Sequence, residues 1–398
     1  MAARIKSQSQ KITQRGNQKS VLLLGAGYSA RALIPKFIAR GYKVFGTTRS
    51  VSKANVLRAL GAEPILYVGS LSGKLLKAIN ISDIILSSIP PTIHGDPFLN
   101  GLDSALASLA KKASWVGYLS ATSVYGDRKG QWVYEDELLM PLTQRGKNRM
   151  AAEIQWLETG LPIHVFRLAG IYGPHRSSFQ RLRDGKARAV IKAGHVVNRI
   201  HVDDIVRALL LSIDHPNPVS IYNLADGSPA PPQDVINFSA DMLDIPRPPQ
   251  LAHEGANISD MARSFYKESK KVSIERAQKE LGWSPKYKNY RQGLMAILKM
   301  EKGTPDSVWL SGFIKVPKAD LSRVKRALPT HIRLSNQEQD CTFFRIWQDK
   351  DEPLKFHVIE SFKSQKAYNR HQARMKNSEW ATVSSKASRH YDVVGLSP

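Results

Sequence analysis

Cysteine is almost missing from this chain. Its 398 residues hold one, Cys341, which excludes an intrachain disulfide and a cysteine-rich metal site and fits a reducing compartment. Acidic residues are also scarce, 34 against 58 Lys and Arg, leaving a formal net charge of +24. No apolar run approaches the length that crosses a bilayer, and no secretory core follows Met1. The expectation is a soluble cytoplasmic protein with no membrane partner. Residues 1–19 contain no acid at all, only Arg4, Lys6, Lys11, Arg15 and Lys19 among Gln and Ser. Such a stretch buries too little apolar surface to order itself and reads as a basic disordered tail, with some transit-peptide character. The surplus positive charge raises the question of nucleic acid. The basic residues are spread over all segments, however, and the densest stretch, Arg181 to Arg199, reads as a solvated face. Nucleic acid is therefore not expected as a partner.

What is present is organised around VLLLGAGYSAR, Val21 to Arg31. Four apolar residues form a buried-strand pattern that runs into Gly25-Ala26-Gly27, and Ala30, Leu33, Ile34, Phe37 and Ile38 then recur at helical spacing. Gly25 permits the tight turn, Gly27 lets a pyrophosphate approach the backbone, and Ala30 allows close helix–strand packing. The first helical N–H groups, at Tyr28, Ser29 and Ala30, would receive the anion. About 20 residues on, an NAD site carries an acid for the ribose hydroxyls. Here the sequence reads Thr47-Thr48-Arg49-Ser50. Arg49, helped by Arg31, suits a 2′-phosphate, so NADP(H) is favoured over NAD(H), with Thr48 and Ser50 beside it. Ser88-Ile89-Pro90-Pro91 follows the fourth strand, where the rest of the dinucleotide would pass.

Short apolar runs alternate with helical patterns from Ser20 onward, which predicts a doubly wound parallel sheet. The strands are expected at Val21–Leu24, Lys43–Gly46, Pro64–Val68, Asp83–Ser88, Ser114–Leu119, Pro162–Arg167 and Ser220–Asn223, with a helix over Leu102 to Lys112. The predicted division is a Rossmann-type domain over residues 20–300 with a small substrate lobe, a linker at 301–305, and a second domain from 306 to 398.

Six ordered motifs carry a resemblance over Ser20 to Leu298. They are GAGYSAR, SATSVYGD (Ser120–Asp127), RLAGIYGP (Arg167–Pro174), RIHVDDI (Arg199–Ile205), YNLADG (Tyr222–Gly227) and KKVSIERAQKELGWSPKY (Lys270–Tyr287). The chain resembles the extended and atypical short-chain dehydrogenases, of the NAD-dependent epimerase/dehydratase kind. The resemblance implies a Ser or Thr, a proton-shuttling Tyr and a Lys that lowers its pKa. Here Ala121 stands at the hydroxyl position, flanked by Ser120 and Thr122, while Arg145 and Arg149 stand where the Tyr and Lys belong. Arg stays protonated and cannot cycle a proton. Arg149 remains a binder of ribose or phosphate oxygen and, with Tyr125, a candidate catalytic group; Tyr172, His175 and His201 are further candidate acids. Ser120 joins the cofactor set, and Thr122, Tyr125, Gly170 and Tyr172 the substrate pocket.

After Leu298 the pattern changes. A strand over Ser307–Val316, a helix over Ala319–Leu328, a hairpin of Thr342–Trp347 with Phe356–Phe362, a helix over Ser364–Met375 and a strand at His390–Val394 make βαββαβ, a ferredoxin-like unit. The run FFRIWQDKDEPLKFHVIESFKSQKAYNRHQAR, with Asn377-Ser378-Glu379-Trp380, resembles the antibiotic biosynthesis monooxygenase domain. That resemblance implies a homodimer formed face to face through the sheet and an oxygenase-type pocket without metal. His371 is its candidate catalytic residue, Trp380, Phe343 and Trp347 its candidate lining, and Glu360 is read as pairing with Arg345 across the hairpin. The leading functional expectation is an NAD(P)H-binding oxidoreductase for a small organic, quinone-like or aromatic, substrate, with a monooxygenase-like module. The alternatives are a non-catalytic NADP(H) sensor and a nucleotide-sugar epimerase or dehydratase.

Overall fold

The computed structural model describes residues 18–102, 106, 110–255, 263 and 265–396. Residues 1–17 of the expected tail, and 103–105 and 107–109 of the helix expected over Leu102–Lys112, lie outside the described residues. The chain packs as two compact units. One is Met1–Tyr172, Lys192–Pro231 and His253–Lys286; the other is Gly173–Ile191, Pro232–Ala252 and Tyr287–Pro398.

The first unit is built on seven parallel strands: β1 (Ser20–Leu24), β2 (Lys43–Thr48), β3 (Glu63–Leu66), β4 (Ile84–Ser87), β5 (Trp115–Ala121), β6 (Ile163–Leu168) and β7 (Ser220–Leu224). Their order is β7-β6-β5-β4-β1-β2-β3, so the winding reverses between β1 and β4, and the crevice at that reversal is where such sheets take ligands. Helices α1 (Tyr28–Ala39), α2 (Val51–Ala59), α3 (Gly73–Ile81), α4 (Gln144–Leu157) and α5 (Val202–Asp214) flank the sheet. Successive residues of β1 point to opposite faces. Val21 and Leu23 join Leu33 and Phe37 of α1 and Leu209 of α5, while Leu22 and Leu24 join Leu75 of α3 and Trp156 of α4. A strand covered on both sides has no polar phase, hence four apolar residues in a row. The third strand stops at Leu66, short of the expected Val68, which is exposed on the sheet's edge.

Two of the resembling motifs hold this unit together. Asp204, fully buried at the start of α5, accepts the Lys286 N–H at 2.6 Å, and its carbonyl accepts the Trp283 indole N–H at 3.0 Å. RIHVDDI and GWSPKY, 80 residues apart in sequence, are thus one packed joint.

In the second unit, α6 (Pro232–Leu243) packs on a short helix at Ser178–Arg183 through Leu182, Ala187, Ile236 and Ala240. Helix α7 (Tyr290–Glu301) leads to β8 (Val308–Lys315), α8 (Leu321–Asn336), β9 (Cys341–Gln348), β10 (Lys355–Phe362), α9 (Gln365–Lys376) and β11 (Ser388–Val394). The sheet is antiparallel in the order β9-β10-β8-β11, the ferredoxin-like arrangement that the element pattern predicts. Helix α8 runs well past the expected Leu328 because Pro329 is absorbed inside it, and the inward face continues through Val324, Ala327 and His331.

One face of this sheet, with Leu310, Ile314, Phe344, Ile346, Phe356 and Val358, packs on α8 and Trp380. The other presents Trp309, Ser311, Ile359 and Ser361, and these are equally buried. Helix α7 runs along β11 there: Asn289 and Gln292 each donate to the Asp392 carboxylate at 2.9 Å, and the Lys302 ammonium lies over the Trp309 ring. The face that the family resemblance assigns to a second copy is covered in part by the chain's own helix.

Candidate functional site

At the end of β1 the chain turns through Gly25, whose φ of +72° lies in the left-handed region, and a Cβ there would meet Ile89 Cγ1 at 2.8 Å. The turn is braced on both sides. Gly25 N–H donates to Thr47 Oγ1 (2.6 Å), Ala26 N–H donates to the Thr47 carbonyl (2.9 Å), and Ser88 Oγ donates to the Gly25 carbonyl (2.5 Å). Ser88 and Ile89, expected beside the cofactor, therefore also shape the loop, while Pro90 is exposed beyond them. Gly27 is the N-cap of α1, extended at φ −80°, with no side chain capping the helix and no acid in its first turn. A Cβ on Gly27 would meet only the Gly25 carbonyl, at 3.6 Å, so the space above it is clear and a phosphate has room to approach.

At the end of β2, Thr48 is buried and Arg49 exposed, with no acid beside them. Ser50 caps α2, its hydroxyl accepting the Lys53 N–H. Arg31 is half-buried on α1. These groups fit a dinucleotide: an uncapped helix end and a glycine cradle for its pyrophosphate, with Arg49 and no acid at the end of β2.

Past β5 the chemistry differs from the family pattern. Ser120 Oγ donates to Glu153 Oε2 at 2.7 Å, and Glu153 is clamped by Arg167 through two nitrogens. Arg167 also donates to the Tyr125 hydroxyl (2.9 Å) and to the Glu135 carbonyl (2.7 Å). Tyr125 in turn donates to Asn223 Oδ1 at 2.7 Å, and the Glu135 carboxylate accepts the Asn223 N–H at 2.9 Å. All of these side chains are buried. Burial pushes the Tyr125 hydroxyl up to about 12, and both of its hydrogen-bonding directions are occupied. The structure thus places Tyr125 and Ser120 inside a closed network rather than facing a cavity.

Arg149, from α4, donates to the Tyr118 hydroxyl (3.0 Å) and the Leu119 carbonyl (2.9 Å), and its guanidinium stacks over the Tyr118 ring. That holds a fixed cation at the carboxyl end of β5. Arg145 is exposed, and Gly146 is pressed against the Ser123 carbonyl, where a Cβ would sit 2.8 Å away. Thr122, half-buried, opens the 3-10 turn that carries Tyr125. Tyr172 meets His201 edge to face at 5.2 Å, beside the exposed Gly170. His201 caps α5 by accepting the Asp203 N–H, and burial pulls its imidazole down to about 4. It is neutral at physiological pH and positions the helix. His175 lies in the other unit, exposed at a positive φ of +58°.

One carboxyl at this end escaped the reading of the sequence. Asp226, two residues past β7, is buried and raised to about 7 by that burial, with Oδ1 accepting the Ser228 N–H. It stands in YNLADG, where the motif drew attention to the turn and not to the acid.

In the second unit the aromatics divide between the two sheet faces. Phe343 stacks on Trp309 and Trp347 on His357, whereas Trp380 lies flat on His331 at 4.5 Å, on the face that holds His371. Arg345 and Glu360 do not pair. Arg345 stands opposite Ile359 in the register and Glu360 opposite Phe344, so the one-residue offset sends them to opposite faces. Arg345 meets Asp244 at 3.1 Å, and Glu360 points into the core. The phase was legible in advance: Phe356, Val358, Glu360 and Phe362 alternate as one inward row.

No family model matches the chain. Protein YeeZ of Escherichia coli K12 is 29% identical over 227 residues, 54% of this chain and 79% of YeeZ. A functionally unknown conserved protein from Silicibacter pomeroyi is 43% identical in a structure covering 71% of this chain and 99% of that one, with a TM-score of 0.68. The chain belongs to that protein's family. The Bordetella bronchiseptica enzyme WbmG, solved with NAD and UDP, shares 18% identity over 72% of this chain and 96% of its own, at a TM-score of 0.59. At that identity the likeness is one of fold. No described helix is long and apolar enough to cross a membrane.

Proposed function

We propose that the first unit binds NADP(H) and works as an oxidoreductase on a small organic substrate, quinone-like or aromatic. The observation that carries this reading is the turn at Gly25–Gly27, which leaves the N-terminus of α1 uncapped and clear of side chains, together with the acid-free Thr48-Arg49-Ser50 end of β2. The α1 amides would receive the pyrophosphate and Arg49 the 2′-phosphate. Bound there, the nicotinamide supplies or accepts a hydride. Arg149 holds a permanent positive charge at the end of β5, suited to anchoring a ribose hydroxyl and to stabilising negative charge on a substrate oxygen. It cannot give up its own proton, so the proton balancing the hydride comes from water or from a group of the substrate.

The test is calorimetric and spectroscopic. The full chain should bind NADPH more tightly than NADH and oxidise it with a member of a quinone and aldehyde panel; failure to bind either nucleotide overturns the reading. A second reading, a cofactor sensor that does not turn NADP(H) over, is favoured by the closed network that occupies both Ser120 and Tyr125. Tight NADPH binding with no oxidation across the panel selects it. An epimerase or dehydratase role, which the fold alone suggests, is the weakest of the three because it relies on the missing proton-shuttling Tyr. The homodimer through the C-terminal sheet stays an expectation of resemblance and requires α7 to yield its place.

A further inference from the structure

The carboxyl end of β5 carries more positive charge than nucleotide binding uses. Arg145 and Arg149 stand one turn apart on α4. Like charges at i and i+4 repel along a helix, and Arg145 lies in the first turn, the end least favourable to a cation. That turn holds no acid. Glu153, four residues beyond Arg149 and the acid best placed to relieve it, is committed elsewhere. It is buried and takes the Ser120 hydroxyl and two nitrogens of Arg167. Asp96, the other acid that Tyr118 senses, accepts the Trp156 indole, the Ser87 hydroxyl and the Phe98 N–H. Both acids nearest to the two guanidinium groups are thus spoken for.

Arg149 is fixed in place but not used up. Both of its hydrogen bonds leave from one nitrogen: Nη1 donates to the Tyr118 hydroxyl at 3.0 Å and to the Leu119 carbonyl at 2.9 Å. The guanidinium lies over the Tyr118 ring, 5.6 Å from its centroid. Nε and Nη2, which together form one edge of the planar group, bond to nothing among the described residues and are not buried. Strand lengths set where that edge stands. The last pair between β4 and β5 is Ser87 with Tyr118, whereas β5 runs on beside β6 as far as Ala121. Leu119 is the first residue of β5 beyond that last pair. The guanidinium therefore occupies the notch where β4 has turned away into Ser88–Pro91. Thr122 and Ser123, half-buried, follow at once on β5, and neither hydroxyl is hydrogen-bonded among the described residues.

We propose that this notch is a carboxylate subsite and that the substrate is an acid, a carbonyl compound whose carboxylate takes two parallel hydrogen bonds from Arg149 Nε and Nη2. Arg145 supplies the second, exposed charge. Resting on the oxidoreductase reading, this assignment narrows its substrate class to an aromatic 2-oxo acid or a close analogue. A planar group with two oxygens matches a planar edge with two donors, whereas a neutral quinone oxygen uses half of it and offsets none of the charge. The Nη1 bonds hold the edge in position before the ligand arrives, so little ordering is left to be done on binding. No proton and no electron moves in this step. All of the residues concerned belong to one compact unit.

The probes are benzoylformate and its methyl ester, which share a ring and a ketone and differ in charge. Titrated calorimetrically into the full chain saturated with NADP+, the acid should bind about tenfold more tightly than the ester or better. Arg149→Lys keeps the charge and removes the fork. It should cost the acid about tenfold and leave the ester where it was. Arg149→Met should erase the preference; because it also deprives Tyr118 and Leu119 of a donor, circular dichroism and NADPH titration separate loss of the fork from loss of the fold. Arg145→Met should cost the acid about two- to threefold, a deficit that fades as salt is added. Equal affinity for acid and ester, or an unchanged ratio in Arg149→Lys, in a chain that still binds NADPH overturns the proposal. Tighter binding of phenyl phosphate than of benzoylformate also overturns it, by giving the fork to a phosphate. A chain that binds no nucleotide fails the oxidoreductase reading first, and the substrate class with it.

Discussion

Each unit of this protein buries a carboxylate against a basic side chain, and the two clusters are built to opposite standards. In the first unit Glu153 receives Ser120 and two nitrogens of Arg167, Arg167 continues to Tyr125, and Tyr125 to Asn223. In the second, His371 meets Glu338 properly but faces Glu360 across a gap that no hydrogen bond closes. A network this densely bonded, with the Asn223 side-chain nitrogen left over, is costly to break. An incomplete one costs stability as it stands. The difference teaches that burial and family position do not by themselves mark the reactive residue. Tyr125, in the SATSVYGD motif, is fully occupied, whereas Glu360, in the FFRIWQDKDEPLKFHVIESFKSQKAYNRHQAR run, is not.

Breaking the complete network should have the largest effect. Arg167→Met leaves Glu153 buried and unpaired and should cost about 3–5 kcal/mol, read from urea unfolding of the full chain; a loss below about 1 kcal/mol would show that the network is far less coupled than its geometry implies. Next comes the nucleotide turn. Gly25→Ala forces an L side chain into φ +72° against Ile89 and should cost about 1–3 kcal/mol, along with NADPH affinity. Gly27→Glu should leave the midpoint unchanged, because its Cβ meets only one atom, yet abolish nucleotide binding by placing a negative charge where phosphate belongs. If the second variant melts like the first, the space above Gly27 is not free.

The incomplete cluster should respond gently and with a distinctive pH profile. The folded-state pKa of Glu360 is raised, so its contribution to stability is fully present below the ordinary Glu range near 4.5 and is lost as pH rises through about 8. Glu360→Gln should change stability at pH 6 by less than about 1 kcal/mol and flatten the decline between these limits, a comparison made by thermal melts across pH. An unaltered slope would assign the decline to another group. The smallest effect belongs to the half-exposed Arg345–Asp244 pair. Arg345→Ala should shift stability by about 0–1 kcal/mol, and a larger loss would mean that the pair acts through the stacked Trp347 ring.

Much of the fold could be read in advance because its signals are local. Val21–Leu24 is apolar at every position since β1 is covered on both faces, and the GAG turn after it demands glycine on geometric grounds. The hairpin of β9 and β10 announced itself by alternation. The site was less legible because its determinants are long-range. Nothing near Tyr125 in sequence reveals that Arg167 and Asn223 will occupy its hydroxyl, 42 and 98 residues away. Glu360 and Arg345 seemed natural partners until the register separated them by one position and therefore by the thickness of the sheet. Pro329 was a plausible helix end, yet packing through Val324, Ala327 and His331 outweighs the bond it removes.

Helix α7 has a practical consequence for dissecting the protein. A fragment cut at the apparent linker, residues 301–305, would leave α7 behind and bare the Asp392 carboxylate, which Asn289 and Gln292 otherwise hold. Such a piece would expose a sticky sheet and self-associate for reasons of surgery and not of biology. A fragment beginning at Tyr287 carries the helix with it but still leaves behind residues 173–191 and 232–252 of the same unit, whose Asp244 and Arg247 meet Arg345 and the Trp347 ring.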